Sequence, residues 1–121
     1  MEENIIIFGK VLKGLGIGRK LGFPTLNLNP QLAPKKMEYG IYAVVVKVGE
    51  RQFKGALHYG VRPTGNLPSS LEVHCIGLNE DLYGQEVEIQ IKKRIRDIVK
   101  FAGEVELKEA IAKDVEIARS A

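Results

Sequence analysis

The sequence is short of the residues that tie a small domain together through cross-links or metal ions. Among 121 residues there are one cysteine, Cys75, two histidines, His58 and His74, and no tryptophan. A lone cysteine cannot form an internal disulfide, and this set lacks the ligand spacing of a zinc site. These absences fit a reducing compartment, so we expect a cytoplasmic protein stabilised by its apolar core.

Long apolar runs and a large excess of one charge are also missing. The longest unbroken apolar run covers residues 41–46, whereas a membrane-spanning helix needs roughly 20 such residues. Glu2 and Glu3 stand where a secretory signal would carry basic residues. The net charge of +3 suits an anionic ligand but does not by itself imply nucleic acid. We therefore expect neither a membrane nor a nucleic acid as a partner.

The length of the chain and the spacing of its apolar residues indicate the fold class. A chain of 121 residues has room for one hydrophobic core, so residues 1–121 are expected to form a single domain. Between frequent glycines and prolines the apolar pattern mostly has period two, which is typical of an all-β barrel or sandwich. Residues 104–119 change to three- and four-residue steps, which predicts an amphipathic helix lying against the strands.

The most unusual segment runs from Gly14 to Asn27. Its glycines leave backbone N–H groups accessible, and Arg19 and Lys20 add positive charge, as in a phosphate cradle. The four glycines are Gly14, Gly16, Gly18 and Gly22. Their spacing matches neither the dinucleotide-binding fingerprint nor the P-loop, so glycine content alone leaves an ordinary hairpin loop as the commoner interpretation.

Two oxygen-bearing side chains follow this loop. Thr25 and Asn27 lie two residues apart on a segment that Pro24 keeps extended, so both should project to the same side. Each offers an oxygen to a hard cation such as Mg²⁺, but two neutral ligands hold that ion only when nucleotide phosphates complete its shell. Metal is therefore expected to bind appreciably only with nucleotide. The alternative is that both residues cap a turn.

Taken together, these motifs resemble the signature of the riboflavin kinase (flavokinase) family, in which a glycine-rich loop precedes a Pro-Thr-Ala-Asn motif. Here that motif is Pro24-Thr25-Leu26-Asn27, with leucine in the alanine position. Further segments agree in chain order: Gly40-Ile41-Tyr42-Ala43, Tyr59-Gly60-Val61-Arg62-Pro63-Thr64, Leu71-Glu72-Val73-His74, Leu82-Tyr83-Gly84, Ile95-Arg96 and Lys100-Phe101. The resemblance covers nearly the whole chain, from about Gly9 to Ala118.

The resemblance implies a six-stranded antiparallel Greek-key barrel with a C-terminal helix packed on it. It implies an ATP:riboflavin 5′-phosphotransferase that produces FMN and ADP. Thr25 and Asn27 would hold Mg²⁺, while the glycine-rich loop, Pro24 and Thr25 would bind ATP, with Arg19 or Lys20 at the phosphates. Which of those two residues contacts phosphate, which nucleotide base is preferred, and whether Mn²⁺ or Zn²⁺ can replace Mg²⁺ all stay open.

The resemblance also makes Glu72 the candidate general base for the riboflavin hydroxyl. In its strand, apolar residues alternate with Glu72, so Glu72 would lie on the face opposite the apolar core. By spacing alone, it could equally be an ordinary exposed glutamate. Arg96 and Phe101 are implied to line the flavin site. His58 and His74 receive no role, because a histidine in a strand is more often structural.

Two other functions stay open. An OB-like RNA-binding module would need aromatic rings grouped within a basic groove, but the four tyrosines and four phenylalanines are scattered singly. A non-catalytic barrel that binds flavin or nucleotide is disfavoured by the joint presence of Thr25, Asn27 and Glu72. Only 13 residues precede Gly14, too few for the adenylyltransferase domain of bifunctional FAD synthetases. We therefore expect a monomer whose reaction stops at FMN.

Overall fold

The structure, a computed structural model, describes residues 5–13, 22–61 and 69–121. It contains strands and one C-terminal helix, α1, together with a short 3-10 turn at Pro30–Leu32. The strands are β1 (Ile6–Lys10), β2 (Leu26–Leu28), β3 (Gly40–Val48), β4 (Arg51–Val61), β5 (Ser69–Cys75) and β6 (Glu86–Arg96), and α1 is Glu104–Ser120. No helix in this described part of the chain is long and apolar enough to span a membrane.

The six strands form one antiparallel sheet in the order β1-β6-β3-β4-β5-β2. Strands β3, β4 and β5 follow one another as a meander, and β6 returns to lie beside β3, which is the Greek-key arrangement. The two outer strands approach each other where Leu12 N donates to Asn27 O at 2.7 Å. The sheet is thus a nearly closed barrel, and the predicted fold class is confirmed.

The barrel interior is filled by side chains that alternate along the strands. Leu57, Val46, Val73 and Ile89 are almost completely buried there, and every strand contributes to the same apolar cluster. This follows from strand geometry, because successive side chains point to opposite faces of the sheet. The outward positions of β2 and β5 are therefore left for polar side chains.

Helix α1 packs on the outer face of β3 and β4. Leu107, Val115 and Ala118 are buried on its inner side, as the three- and four-residue spacing predicts. Ile41 of β3 is also buried but does not belong to the barrel core, because the helix side of the sheet forms a second apolar layer. Near the end of the helix, Lys54 Nζ donates to Arg119 O at 3.0 Å.

The hairpin between β4 and β5 is longer than the sequence pattern indicates. Glycines, prolines and serines make residues 60–70 look like a loop in the sequence. In the structure β4 continues to Val61 and β5 begins at Ser69, with Gly60 paired to Ser70. The Ser70 hydroxyl is buried and donates to Gly60 O at 3.2 Å. Glycine and serine favour turns, but here strand pairing overrides that local preference.

Candidate active site

The pairing of β2 with β5 brings three of the predicted site residues together. Asn27 lies directly opposite Glu72, so their side chains are neighbours on the outer face of the barrel. Thr25 Oγ1 donates to Glu72 Oε1 at 3.1 Å, although the two residues are 47 positions apart in sequence. All three side chains are half-buried. The structure therefore collects a hydroxyl, an amide and a carboxylate at one edge of the barrel, which we call the catalytic edge.

The oxygen atoms at the catalytic edge suit a hard cation. Hydroxyl, amide and carboxylate oxygens are the ligands that Mg²⁺ prefers. Within residues 5–13, 22–61 and 69–121, no three His, Cys, Asp or Glu side chains converge to hold a metal ion. The side-chain oxygens of Thr25 and Asn27 are of the kind that Mg²⁺ accepts as ligands.

A cleft of about 350 Å³ opens beside Thr25. It is lined by Pro24, Thr25, Leu26, Cys75, Leu78, Asn79, Glu80 and Asp81. This volume lies within the range of about 300–1,000 Å³ that is usual for small-molecule sites. Burial raises the pKa of the Cys75 thiol to about 12, so this side chain stays protonated and chemically inert at neutral pH.

Part of the predicted ATP-binding loop can be located. Gly22 is exposed and has a φ of 89°, a left-handed conformation that glycine adopts without strain, and Pro24 follows at the rim of the cleft. The other predicted loop residues, Gly14, Gly16, Gly18, Arg19 and Lys20, lie outside the described residues. Their phosphate contacts stay predictions.

Arg96 and Phe101 meet at the other end of the outer face. The Arg96 guanidinium lies 5.6 Å from the centre of the Phe101 ring. Its Nε and Nη2 donate to the two carboxylate oxygens of Asp114 at 2.8 and 2.7 Å, and its Nη1 donates to Asp97 O at 3.0 Å. These groups border a cleft of about 600 Å³ between α1 and residues 95–101, which we call the helix cleft.

Asp114 contacts a predicted site residue, and the family motifs in the sequence do not include it. Its side chain is only 6% exposed and lies on the inner side of α1, in the otherwise apolar stripe that contains Leu107 and Ala118. A single acid on an apolar stripe is the signal that reveals it, because a buried carboxylate needs a partner. Arg96 is that partner.

A continuous row of paired residues joins the catalytic edge to the helix cleft. Across neighbouring strands, Asn27 pairs with Glu72, Glu72 with His58, His58 with Ile41, and Ile41 with Arg96. Adjacent strands lie about 4.8 Å apart. Three strand steps therefore separate Glu72 from Arg96, or about 14 Å along the sheet. Both regions belong to one face of one barrel.

The two histidines, for which no role is predicted, both make specific contacts. His58 Nδ1 lies 3.1 Å from Ser70 Oγ. His74 Nδ1 lies 2.8 Å from Pro24 O, and the His74 ring packs edge-to-face against Phe23 with ring centres 5.4 Å apart. His74 therefore contacts the segment that leads into Thr25, a relationship that no spacing in the sequence discloses.

Comparison with known proteins assigns this barrel to one class of protein. The model for the flavokinase family, described as riboflavin kinase, matches residues 1–121. The chain belongs to the riboflavin kinase family, so the resemblance inferred from its motifs is confirmed.

Relatives in this family include longer proteins. The bifunctional riboflavin kinase/FMN adenylyltransferase of Haemophilus influenzae is 42% identical over 129 residues, which cover 99% of this chain and 41% of that protein. The RNA-binding riboflavin kinase RibR of Bacillus subtilis is 36% identical over 112 residues, which cover 91% of this chain and 48% of that protein. The chain thus spans less than half the length of either relative.

Two solved structures share the fold. A macrolide-efflux protein from Streptococcus pneumoniae superposes with a TM-score of 0.80 and 28% identity, over 96% of this chain and 38% of that chain. The riboflavin kinase of Trypanosoma brucei superposes with a TM-score of 0.65 and 23% identity, over 98% of this chain and 79% of that chain. The second likeness supports the barrel fold alone.

Proposed function

We propose that this chain is a riboflavin kinase that transfers the γ-phosphate of ATP to the ribityl 5′-hydroxyl of riboflavin, giving FMN and ADP. Membership of the family supports this activity. The observation that carries the proposal is the meeting of Thr25, Asn27 and Glu72 at the catalytic edge, with a hydrogen bond of 3.1 Å from Thr25 to Glu72.

Glu72 would act as the general base. A primary alcohol is a weak nucleophile, and a positioned carboxylate that accepts its proton contributes a rate factor of about 10²–10⁴. The Thr25 hydroxyl donates to Oε1 of Glu72 and so limits the rotation of the carboxylate. Because Glu72 lies on a paired strand rather than in a loop, its backbone is also held in place.

Thr25 and Asn27 would hold Mg²⁺, and the glycine-rich loop would contact the nucleotide. When bound, Mg²⁺ neutralises charge on the β- and γ-phosphates of ATP. The cleft beside Thr25 supports a site for the rest of the nucleotide. Asp81 also lines that cleft, and its negative charge favours the uncharged nucleoside there over the phosphates.

The helix cleft would receive the flavin. Phe101 offers an aromatic face for the isoalloxazine ring, and Arg96 is held beside it by Asp114. The separation of about 14 Å between Arg96 and Glu72 is a span that a tricyclic ring joined to a five-carbon polyol can bridge. In the proposed arrangement, the nucleotide approaches Glu72 from the side of Thr25, and the flavin approaches it from the side of the helix cleft.

The wider setting of the reaction belongs to the same proposal. We expect a cytoplasmic monomer that acts on riboflavin and ATP without a nucleic-acid or membrane partner. Mn²⁺ or Zn²⁺ in place of Mg²⁺, and CTP in place of ATP, are variables of the assay.

The direct test is to incubate the protein with riboflavin, a nucleotide and a divalent cation, and to separate the flavins by chromatography. FMN should form with Mg²⁺ and ATP, and omission of the cation should abolish it. Parallel reactions with CTP, Mn²⁺ and Zn²⁺ define the nucleotide and metal preferences. Absence of FMN under every combination would overturn the proposal.

A further inference from the structure

The segment that carries Thr25 is only partly fixed by the sheet. Pairing of β2 with β5 covers Leu26 to Leu28, so Thr25 lies one residue beyond the last paired position. On its other side, Gly22 adopts a φ of 89°, where the chain turns. The backbone ladder therefore ends just before the residue whose hydroxyl contacts Glu72, so side-chain contacts attach this segment to β5.

His74 supplies that interaction. Its Nδ1 lies 2.8 Å from Pro24 O, and because a carbonyl oxygen only accepts, Nδ1 must carry the proton and donate. Proline has no N–H, so this carbonyl is the only backbone group of Pro24 that can form a hydrogen bond. The His74 ring also meets Phe23 edge-to-face, with an interplanar angle of 88°.

His74 and Glu72 lie two residues apart on β5 and project from the same face. One contacts Pro24 and Phe23, and the other accepts from Thr25. We propose that His74 is a positioning residue. Its hydrogen bond to Pro24 attaches this segment to β5 beyond the last paired residue of β2, and so orients the Thr25 hydroxyl for the metal–nucleotide complex. His74 itself touches no reacting group. The inference rests on the proposed function, since it concerns the nucleotide side of that site.

A positioning role predicts an effect on one substrate. Loss of the His74 donor frees the Pro24 carbonyl and the adjoining Thr25, so the affinity for Mg²⁺–ATP should fall. The net value of a hydrogen bond of this kind corresponds to a change of about three- to tenfold. Riboflavin affinity should be unchanged, because the helix cleft lies about three strand spacings, or 14 Å, away.

Two variants separate the donor from the ring. His74→Asn keeps an N–H near the Nδ1 position but lacks the ring, whereas His74→Phe keeps the ring and lacks the donor. We expect His74→Phe to raise the KM for ATP about three- to tenfold, with the KM for riboflavin unchanged, and His74→Asn to restore most of the loss. Gln90→Leu is the control, because Gln90 is also half-buried on a strand and also donates a hydrogen bond, to Glu88 at 2.7 Å.

Equal activity of His74→Phe and the wild-type protein would overturn the proposal. So would a His74→Asn variant as impaired as His74→Phe, since the donor would then be irrelevant. Thermal unfolding shows whether each variant is folded. If His74→Phe does not fold, His74→Leu, which also lacks the donor, replaces it in both measurements.

A second measurement shows whether His74 acts through Thr25. If it does, adding His74→Phe to Thr25→Val should weaken Mg²⁺–ATP binding no further than Thr25→Val alone, whereas independent effects would add. Equilibrium dialysis of Mg²⁺–ATP without riboflavin provides this readout, so it does not depend on catalysis. Additive losses would overturn the inference. A different result separates the inference from the proposed function. If the wild-type chain binds Mg²⁺–ATP but makes no FMN, and His74→Phe weakens that binding, the proposed function is refuted and the inference is retained.

Discussion

The catalytic edge and the helix cleft occupy the same face of the barrel but are held by different forces. At the catalytic edge, strand pairing places Asn27 and Glu72 side by side. At the helix cleft, an ion pair between Arg96 and Asp114 joins the end of β6 to α1. A group placed by the backbone ladder can be changed with little cost to the fold, whereas a group placed by a buried ion pair cannot.

The two regions also contain ion pairs of opposite character. Arg96 and Asp114 have side chains that are 26% and 6% exposed, and the guanidinium forms two hydrogen bonds to the carboxylate. Arg51 and Glu80, beside the cleft of the catalytic edge, are 48% and 55% exposed and meet at 2.8 Å. The first pair is expected to be essential for stability and the second to be dispensable.

The largest expected effect is on rate, at the catalytic edge. Glu72→Gln removes the proton acceptor but keeps an oxygen that can accept from Thr25, so kcat should fall by about 10²–10⁴-fold. Nucleotide binding and the thermal unfolding temperature should change little. Glu88→Gln is the matched control, because Glu88 is likewise a half-buried strand glutamate that accepts a hydrogen bond. An unchanged kcat in Glu72→Gln would remove Glu72 from the mechanism.

The next largest effect is expected at the helix cleft and concerns stability. Asp114→Asn leaves the Arg96 charge without its carboxylate, and we expect a loss of about 3 kcal/mol in the free energy of unfolding, the lower end for buried pairs. The KM for riboflavin should rise as Arg96 leaves its place beside Phe101. Denaturant unfolding and steady-state kinetics measure the two effects.

Asp97→Asn is the comparison for that variant. Asp97 is 81% exposed and pairs with Arg94 at 2.8 Å, so its loss should cost less than about 1 kcal/mol. If Asp114→Asn were no less stable than Asp97→Asn, the expected difference between a buried and an exposed ion pair would fail.

The smallest effect is expected from the exposed ion pair. The hydrogen bond from Arg51 lowers the pKa of the Glu80 carboxyl, and any stability that results is present above the unfolded-state pKa and lost as pH falls through the folded-state pKa. Arg51→Gln should return the pKa of Glu80 toward its ordinary value, as measured by NMR titration, with no resolved change in thermal stability at neutral pH. A clear loss of stability in this variant would erase the distinction between exposed and buried pairs.

The sequence was sufficient to predict the fold class, the family and the candidate residues at the catalytic edge. It did not predict the hydrogen-bond partners of those residues. The alternation around Glu72 already indicated which face it occupies, and the joint presence of Thr25 and Asn27 already suggested an oxygen-donor pair. The hydrogen bond between Thr25 and Glu72 depends on which strand lies beside β5 and in what register, and no local pattern contains that information.

By itself, the sequence determined the strand periodicity, the amphipathic helix and the motifs of the riboflavin kinase family, because these depend on residues that are near one another in the chain. Only the tertiary structure decided that His74 supports the segment before Thr25 and that Asp114 neutralises Arg96. Both contacts join residues from different elements, and their existence follows from how the barrel closes and where the helix packs.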